Sequence, residues 1–324
     1  MFDISAEAKR VFDEEIEALQ AVKDNLNGDF SHLVEIILSC SGRIILTGMG
    51  KSGLIGKKIS ATMSSLGTPS YFLHPAEASH GDLGFLTEKD VLIAISNSGE
   101  TSELLAIIPS IKRIGAKFIS LTCRNNSTLE RHSDLHIHLN VTKEACPLNL
   151  APTSSTTATL VFGDALAIVL SKIRDFKPEH YAIFHPGGAL GKRLLTTVMD
   201  LMHSGNENPI ANRNASLRQI IFIMSEKGLG AVSIVDDLGK LVGILTDGDL
   251  RRTIEKHDNF FDTIADDVMT NMPIQIDQDS LAVEALKLME NREKPIMVLP
   301  IVDKEQKPIG MLRLHDIIRA GVVF

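Results

Sequence analysis

Residues 5–27 place Phe12, Ile16, Leu19, Val22 and Leu26 at helical spacing among Glu and Lys, which predicts one amphipathic helix ahead of Arg43. Beyond it the pattern changes to short apolar, β-branched runs at 44–47, 70–73, 91–95, 118–122 and 135–141. Helical patterns over 54–66 and 102–114 lie between the runs, and another over 157–173 follows the last. Five strands separated by helix-length spacers predict an α/β fold built on a doubly wound five-stranded parallel sheet.

After about residue 197 a repeat takes over. Ser216-Leu217 and Ser280-Leu281 each open a helical pattern, and each is followed by two apolar runs joined by a charged turn. Gly243 matches Gly310 and Asp249 matches Asp316, both 67 residues apart, while Val198-Met199 and Val268-Met269 precede the two copies. This is a tandem helix–strand–strand–helix duplication. The expected domains are therefore 1–197, 198–262 and 263–324.

Composition narrows the class. Hydrophobic residues form 44% of the 324 and charged residues 23%, which excludes a disordered or fibrous chain. With 33 basic and 41 acidic residues the net charge is −8 and no basic block exists, so neither nucleic acid nor a membrane surface is an expected partner. Cys40, Cys123 and Cys146 are odd in number, far apart and form no C-x-x-C pair; a reducing compartment is the default. The N-terminus carries acids where a signal peptide carries base and then an apolar run. The most apolar stretch, 159–170, is short and interrupted by Asp164, so no helix of ~20 apolar residues is expected to cross a bilayer. These features predict a cytoplasmic protein.

In open α/β sheets ligands bind beyond the carboxyl ends of the strands. Those ends carry Gly48-Met49-Gly50-Lys51-Ser52-Gly53, then His74 through Asp82, then Ser96-Asn97-Ser98-Gly99-Glu100-Thr101-Ser102-Glu103, then Thr142-Lys143-Glu144. Gly48, Gly50 and Gly53 satisfy a dinucleotide fingerprint, but the second strand ends at His74 with no ribose-holding acid until Glu77. Gly50-Lys51-Ser52 imitates a P-loop whose first glycine position is Ile45, so that reading fails. The segment from Ser96 to Thr101 is the better phosphate cradle, because hydroxyls and free N–H groups gather at a helix N-terminus. One capping residue would suffice for a structural N-cap. The Thr153-Ser154-Ser155-Thr156-Thr157 run is explained equally by substrate contact or by capping.

The lysine loop, the serine loop and His185-Pro186-Gly187-Gly188-Ala189-Leu190-Gly191 together resemble the sugar isomerase (SIS) family, whose fold is a flavodoxin-like αβα sandwich. The repeat resembles a pair of cystathionine-β-synthase (CBS) modules, the arrangement found in arabinose 5-phosphate isomerases. The resemblance implies an aldose–ketose isomerase interconverting D-arabinose 5-phosphate and D-ribulose 5-phosphate through an enediol, feeding 3-deoxy-D-manno-octulosonate and lipopolysaccharide synthesis. It places the catalytic positions on Lys51, His80, Glu103, Glu144 and His185, and the substrate and phosphate contacts on Ser52, His74, Ser96, Ser98 and Thr101. His185 or Glu144 would shuttle the carbon-bound proton, since imidazole or a desolvated carboxylate can be tuned toward neutral pH. The resemblance also implies a homotetramer in which a neighbouring subunit could supply His185.

No cofactor is required by this chemistry. Zinc at His74 would be inhibitory or incidental, since the six-residue spacing to His80 is no ligand motif. The CBS resemblance implies either a purely structural, dimer-forming role or a nucleotide or sugar nucleotide gripped by a hydroxyl residue and an acid three positions later. Thr246 and Asp249 keep that pattern, whereas Arg313 replaces the hydroxyl before Asp316. Two rival readings remain. One is an SIS isomerase for another sugar phosphate. The second is a non-catalytic sugar-phosphate sensor, although SIS-type transcription regulators carry a helix-turn-helix for which a single helix before Arg43 leaves no room. An amidotransferase is not expected, since it would carry a glutaminase ahead of the SIS segment.

Overall fold

All five residues of β1 (Ile44–Gly48) and of β3 (Val91–Ile95) are buried, as befits strands covered on both faces. The structure, a computed structural model, describes residues 2–255 and 260–324, and the chain divides into two compact units, Met1–Lys177 and Pro178–Phe324. In the first unit β1 and β3 join β2 (Ser70–Leu73), β4 (Lys117–Thr122) and β5 (Leu135–His138) in one parallel sheet of order β2-β1-β3-β4-β5. Alternate strand residues feed two cores. Ile44, Leu46, Ile93 and Leu121 pack under α1 (Ile4–Asp24), α2 (Gly28–Ser39), α3 (Gly50–Ser65) and α7 (Ser154–Ile173). Ile45, Leu92, Ala94 and Phe118 pack under α4 (Pro75–Ser79), α5 (Ser102–Ile114) and α6 (Thr128–His132). This is the expected αβα sandwich.

Several boundaries differ from the sequence pattern. Two helices, not one, precede Arg43: Asn27 accepts from Asp29 N at 2.8 Å and starts α2, which buries Leu33, Val34 and Ile37. Helix α3 begins at Gly50, so Lys51 and Ser52 lie in its first turn and not in a preceding loop. A Cβ at Gly53 would stand 2.4 Å from the Gly48 carbonyl oxygen, so only glycine lets this turn close onto the end of β1. Strand β5 stops at His138, because Asn140 turns into the left-handed region at φ 53°. Helix α7 has 20 residues and is, among the described residues, the one helix long and apolar enough to cross a membrane. Here it is a core helix: Ala158, Phe162, Leu166 and Leu170 are buried, and Asp164 pairs with Lys58 of α3.

The second unit starts earlier than 198. It opens with α8 (Pro178–Phe184) and α9 (Ala189–Leu195), and α9 packs on α13 (Ala282–Glu290). The following backbone is tied to the second repeat by Val198 N donating to Ser280 O at 2.8 Å and Ala282 N to Thr196 O at 2.8 Å. The first repeat comprises β7 (Ile210–Asn212), α10 (Leu217–Lys227), β8 (Ala231–Val235), β9 (Leu241–Thr246) and α11 (Asp247–Ile254). The second, entered through α12 (Ala265–Val268), comprises β11 (Ile276–Asp277), α13, β12 (Val298–Val302), β13 (Pro308–Arg313) and α14 (Leu314–Arg319). Each sheet borrows its last strand from outside its own repeat. The sheets run β10-β9-β8-β7 and β11-β12-β13-β6, so β6 (His203–Ser204) completes the second repeat and β10 (Thr270–Asn271) the first. The modules therefore interlock and do not separate cleanly at 262/263.

Asp90 anchors the edge of the sheet opposite the strand carboxyl ends. Its buried carboxylate accepts from Arg43 N at 2.7 Å, Thr87 N and Oγ1 at 2.9 Å each, and Arg43 Nη2 at 3.2 Å. Burial would push this carboxyl up, but the Arg43 guanidinium and the donated hydrogen bonds outweigh it and hold it below the usual carboxylate range. Its stabilisation is thus full above the unfolded carboxyl pKa and is lost as pH falls through the lower folded value. Asp90→Asn should lower unfolding free energy at pH 7 by about 1.5–3 kcal/mol. The gap from wild type should shrink below about pH 4; urea unfolding at pH 7 and pH 3 measures both.

Candidate active site

At the carboxyl end of β1, Met49 is an N-cap residue without a side-chain cap, leaving the first-turn N–H groups of α3 available to an anion. Lys51 and Ser52 stand in that turn, with Lys51 exposed. At the end of β3, Ser96 is buried and braces the loop: its Oγ lies 2.9 Å from Thr101 Oγ1 and accepts from Gly99 N at 3.0 Å. Ser98 is exposed and accepts from Glu100 N at 3.2 Å. Thr101, the N-cap of α5, makes no capping bond of its own, so this helix too presents uncapped N–H groups. His74 and His80 flank the short α4 as its N-cap and C-cap, with His80 exposed. Glu103 sits in the first turn of α5; its own backbone N–H and the Ser102 hydroxyl at 2.8 Å hold its carboxyl below the usual range. Glu103 is accordingly an anion and an acceptor at neutral pH.

Glu144 is different in kind. It is buried, and its two oxygens accept five hydrogen bonds. Oε1 takes Asn97 Nδ2 at 3.2 Å and the Ser155 hydroxyl; Oε2 takes Thr153 N at 2.8 Å, Thr153 Oγ1 at 3.2 Å and Ser155 N at 3.1 Å. Its own N–H donates to Asn149 Oδ1 at 2.7 Å. A carboxylate offers about four lone-pair directions, and here the protein's own donors engage them. Thr153 and Ser155 thus serve as donors to this carboxylate, and α7 begins three residues earlier than the hydrophobic pattern predicts because Glu144 caps it from outside. Sequence reasoning missed Asn97, Asn149 and the partnership of Thr153 and Ser155 with Glu144. A polar cleft at this edge is lined by Ser52, Ser96, Asn97, Ser155 and Thr156.

Three buried polar atoms at the same edge have no protein partner: Thr47 Oγ1 in β1, His74 Nδ1 after β2 and Ser154 Oγ at the start of α7. Orphans of this kind call for an external donor or acceptor. Among the described residues no group of three His, Cys, Asp or Glu side chains that could hold an ion is assembled, and the nearby charge acting on His74 is that of Glu103. Cys123 lines the cleft, but burial and then the Glu144 charge push its thiol up to about 12, and it is chemically inert there.

The second unit holds the remaining candidates. His185 follows α8; its ring stacks on Tyr181 at 3.8 Å between centroids. Thr246 and Asp249 line a cavity of about 830 Å³ whose walls also include Arg252, Lys294, Arg313 and His315. Thr246 N and Oγ1 donate to Asp249 Oδ2 at 2.9 and 2.7 Å, while Arg252 Nη2 donates to Oδ1 at 2.5 Å. In the second repeat Arg313 forks onto Asp316 at 2.7 and 2.9 Å, and His203 Nε2 adds a third contact at 2.9 Å. Each acid is thus paired by a nearby arginine, and Arg252 and Arg313 line the same cavity.

These features define a class, an SIS domain followed by a CBS pair. The SIS domain profile matches residues 37–169, and the CBS domain profile matches 198–256 and 265–322. Arabinose 5-phosphate isomerase KdsD of Pseudomonas aeruginosa is 46% identical over 321 residues, covering 99% of this chain and 98% of that protein. The protein of the same name from Escherichia coli K12 is 48% identical over 322 residues, covering 99% and 97%. A chain from E. coli CFT073, solved in complex with arabinose 5-phosphate, shares 43% identity and a TM-score of 0.54 over 55% of this chain and 95% of its own. With likeness running the length of both partners, the chain belongs to the arabinose 5-phosphate isomerase family.

Glu144→Gln turns one acceptor into a donor facing Asn97, Thr153 or Ser155, and should cost about 1–3 kcal/mol of stability. Thermal unfolding should therefore show a lower Tm, with Ser155→Ala falling less than Glu144→Gln.

Proposed function

We propose that this chain is a cofactor-independent aldose–ketose isomerase that interconverts D-arabinose 5-phosphate and D-ribulose 5-phosphate through an enediolate. The observation that carries this reading is full-length likeness to arabinose 5-phosphate isomerases, joined to the gathering of Lys51, Ser52, Ser98, Glu103 and the two α4 histidines at one sheet edge. The phosphate dianion lies between the uncapped N-termini of α3 and α5, where helix dipoles and free N–H groups favour negative charge. Ser52 and Ser98 donate to it, while Ser96 and Thr101 hold the loop in shape.

In the reaction a base takes the proton from C2 of the open-chain aldose. The C–H electron pair becomes the C1=C2 bond and negative charge moves to O1. A proton passes between O2 and O1, and the proton returned at C1 completes the ketose. Lys51 offers a fixed positive charge to the phosphate or to the enediolate oxygen. His80 and the anionic Glu103 orient sugar hydroxyls and assist ring opening. The saturation of Glu144 favours His185 as the carbon acid's base and leaves Glu144 to hold Asn97 and the start of α7 in place. In this reading His74 contacts substrate, and no metal takes part.

Run toward the aldose, the same reaction supplies D-arabinose 5-phosphate to 3-deoxy-D-manno-octulosonate and lipopolysaccharide synthesis in the cytoplasm. The chain works as a homotetramer, a state favoured by Phe12 and Ile16 on α1 and Val161 and Ile168 on α7, all exposed large apolar side chains. The CBS pair takes one nucleotide or sugar nucleotide at Thr246 and Asp249.

Incubation with arabinose 5-phosphate, in parallel with hexose and heptose phosphates, tests the reading. Selective formation of ribulose 5-phosphate supports it; selective turnover of another sugar phosphate, or binding without turnover, contradicts it. His185→Ala should lose at least ~10²-fold in kcat, the low end for a general acid–base group. Calorimetric titration of the CBS pair with adenosine nucleotides should saturate at one ligand per chain, and Asp249→Ala should abolish it.

A further inference from the structure

His185 is held in an unusually defined pose within the second unit. Its Nδ1 lies 3.0 Å from the Tyr181 carbonyl oxygen. Its ring lies flat on the Tyr181 ring, with centroids 3.8 Å apart and planes 11° from parallel. The backbone is fixed as well: His185 N donates to the Tyr181 and Ala182 carbonyls at 3.1 Å, and Pro186 ends the helix immediately after. On the far side, a Cβ at Gly191 would stand 2.2 Å from the His185 carbonyl oxygen, so α9 folds back directly onto this residue.

A carbonyl oxygen can only accept. The Nδ1 of His185 must therefore carry the hydrogen, and in the neutral ring Nε2 is left with the lone pair. An isolated imidazole has two tautomers and a freely turning χ2; here the carbonyl selects the tautomer and the tyrosine face restricts the turn. We propose that Tyr181 is a positioning residue that holds His185 as the Nδ1–H tautomer with Nε2 presented as the base. The ring does the holding by its face, and its hydroxyl has no part in it. The proposal rests on the reading of His185 as the proton shuttle, and it assigns the nitrogen that acts.

The test pairs ¹⁵N NMR of histidine-labelled full-length protein with steady-state kinetics. In wild type at a pH where the ring is neutral, His185 should show a protonated Nδ1 and an unprotonated Nε2, assigned by loss of the signal in His185→Ala. Tyr181→Phe should keep that signature and hold kcat within about two-fold, because the stacked face is retained. Tyr181→Ala, with its fold checked by thermal unfolding, should mix the two tautomers and lower kcat by about ten-fold or more with KM nearly unchanged. An Nε2–H tautomer in wild type, or wild-type kcat in Tyr181→Ala, overturns the proposal. Equal losses in Tyr181→Phe and Tyr181→Ala also overturn it, by making the hydroxyl the active group. Full turnover by His185→Ala overturns the prior reading of His185 instead, and that outcome is distinguished by the unchanged tautomer signature of wild type.

Discussion

A carboxylate removed from water must be paid for in hydrogen bonds, and at Glu144 that requirement organises the candidate site. The five donors come from three places: the loop after β3, the segment before α7 and the first turn of α7 itself. None of the three is positioned by secondary structure alone. Asn97 donates its amide nitrogen to Glu144 from an exposed position, and α7 starts where it does because Ser155 N finds an acceptor there. The neighbouring uncapped helix ends are left to meet an anion of their own. One buried acid thus separates the donors used internally from those available to substrate.

The CBS pair uses the same device for another purpose. Asp249 and Asp316 both sit in the first turn of a helix, and both are bound by local donors. The difference lies in the partner. Thr246 is a short cap that leaves the cavity open, and Arg252 closes on Asp249 from an exposed position. Arg313 instead spans Asp316 with a bidentate fork, reinforced by His203 from the borrowed strand β6. The duplication therefore yields two similar folds whose helix-start acids are held by different local partners.

Much of this was legible in the sequence because the central strands are buried on both faces and read as unbroken apolar runs. Strands β2 and β3 and helix α5 match the hydrophobic pattern at both ends. The strand-end motifs were legible for a related reason: hydroxyls, histidines and acids concentrated on loops have no packing role to explain them. What was hidden depends on partners distant in the chain. The polar run Asp24-Asn25-Leu26-Asn27 does mark the boundary before α2 in the sequence, whereas the two-residue strands β6 and β10 carry no periodic signal. Ser155 reads as one more capping hydroxyl until the fold brings Glu144 against it. The partner of His185 is local, four residues back, but nothing in the sequence distinguishes a stacked Tyr181 from any aromatic one helical turn away.

The central claim is that a proton leaves C2 and returns at C1 by way of a protein base in contact with solvent. Proton NMR of the full-length protein with arabinose 5-phosphate in D₂O tests it most directly. The account predicts ribulose 5-phosphate carrying deuterium at C1, and recovered arabinose 5-phosphate carrying deuterium at C2. Ribulose 5-phosphate formed with no solvent deuterium would contradict a base that exchanges its proton with solvent, and bound sugar that neither reacts nor exchanges would contradict the enzyme.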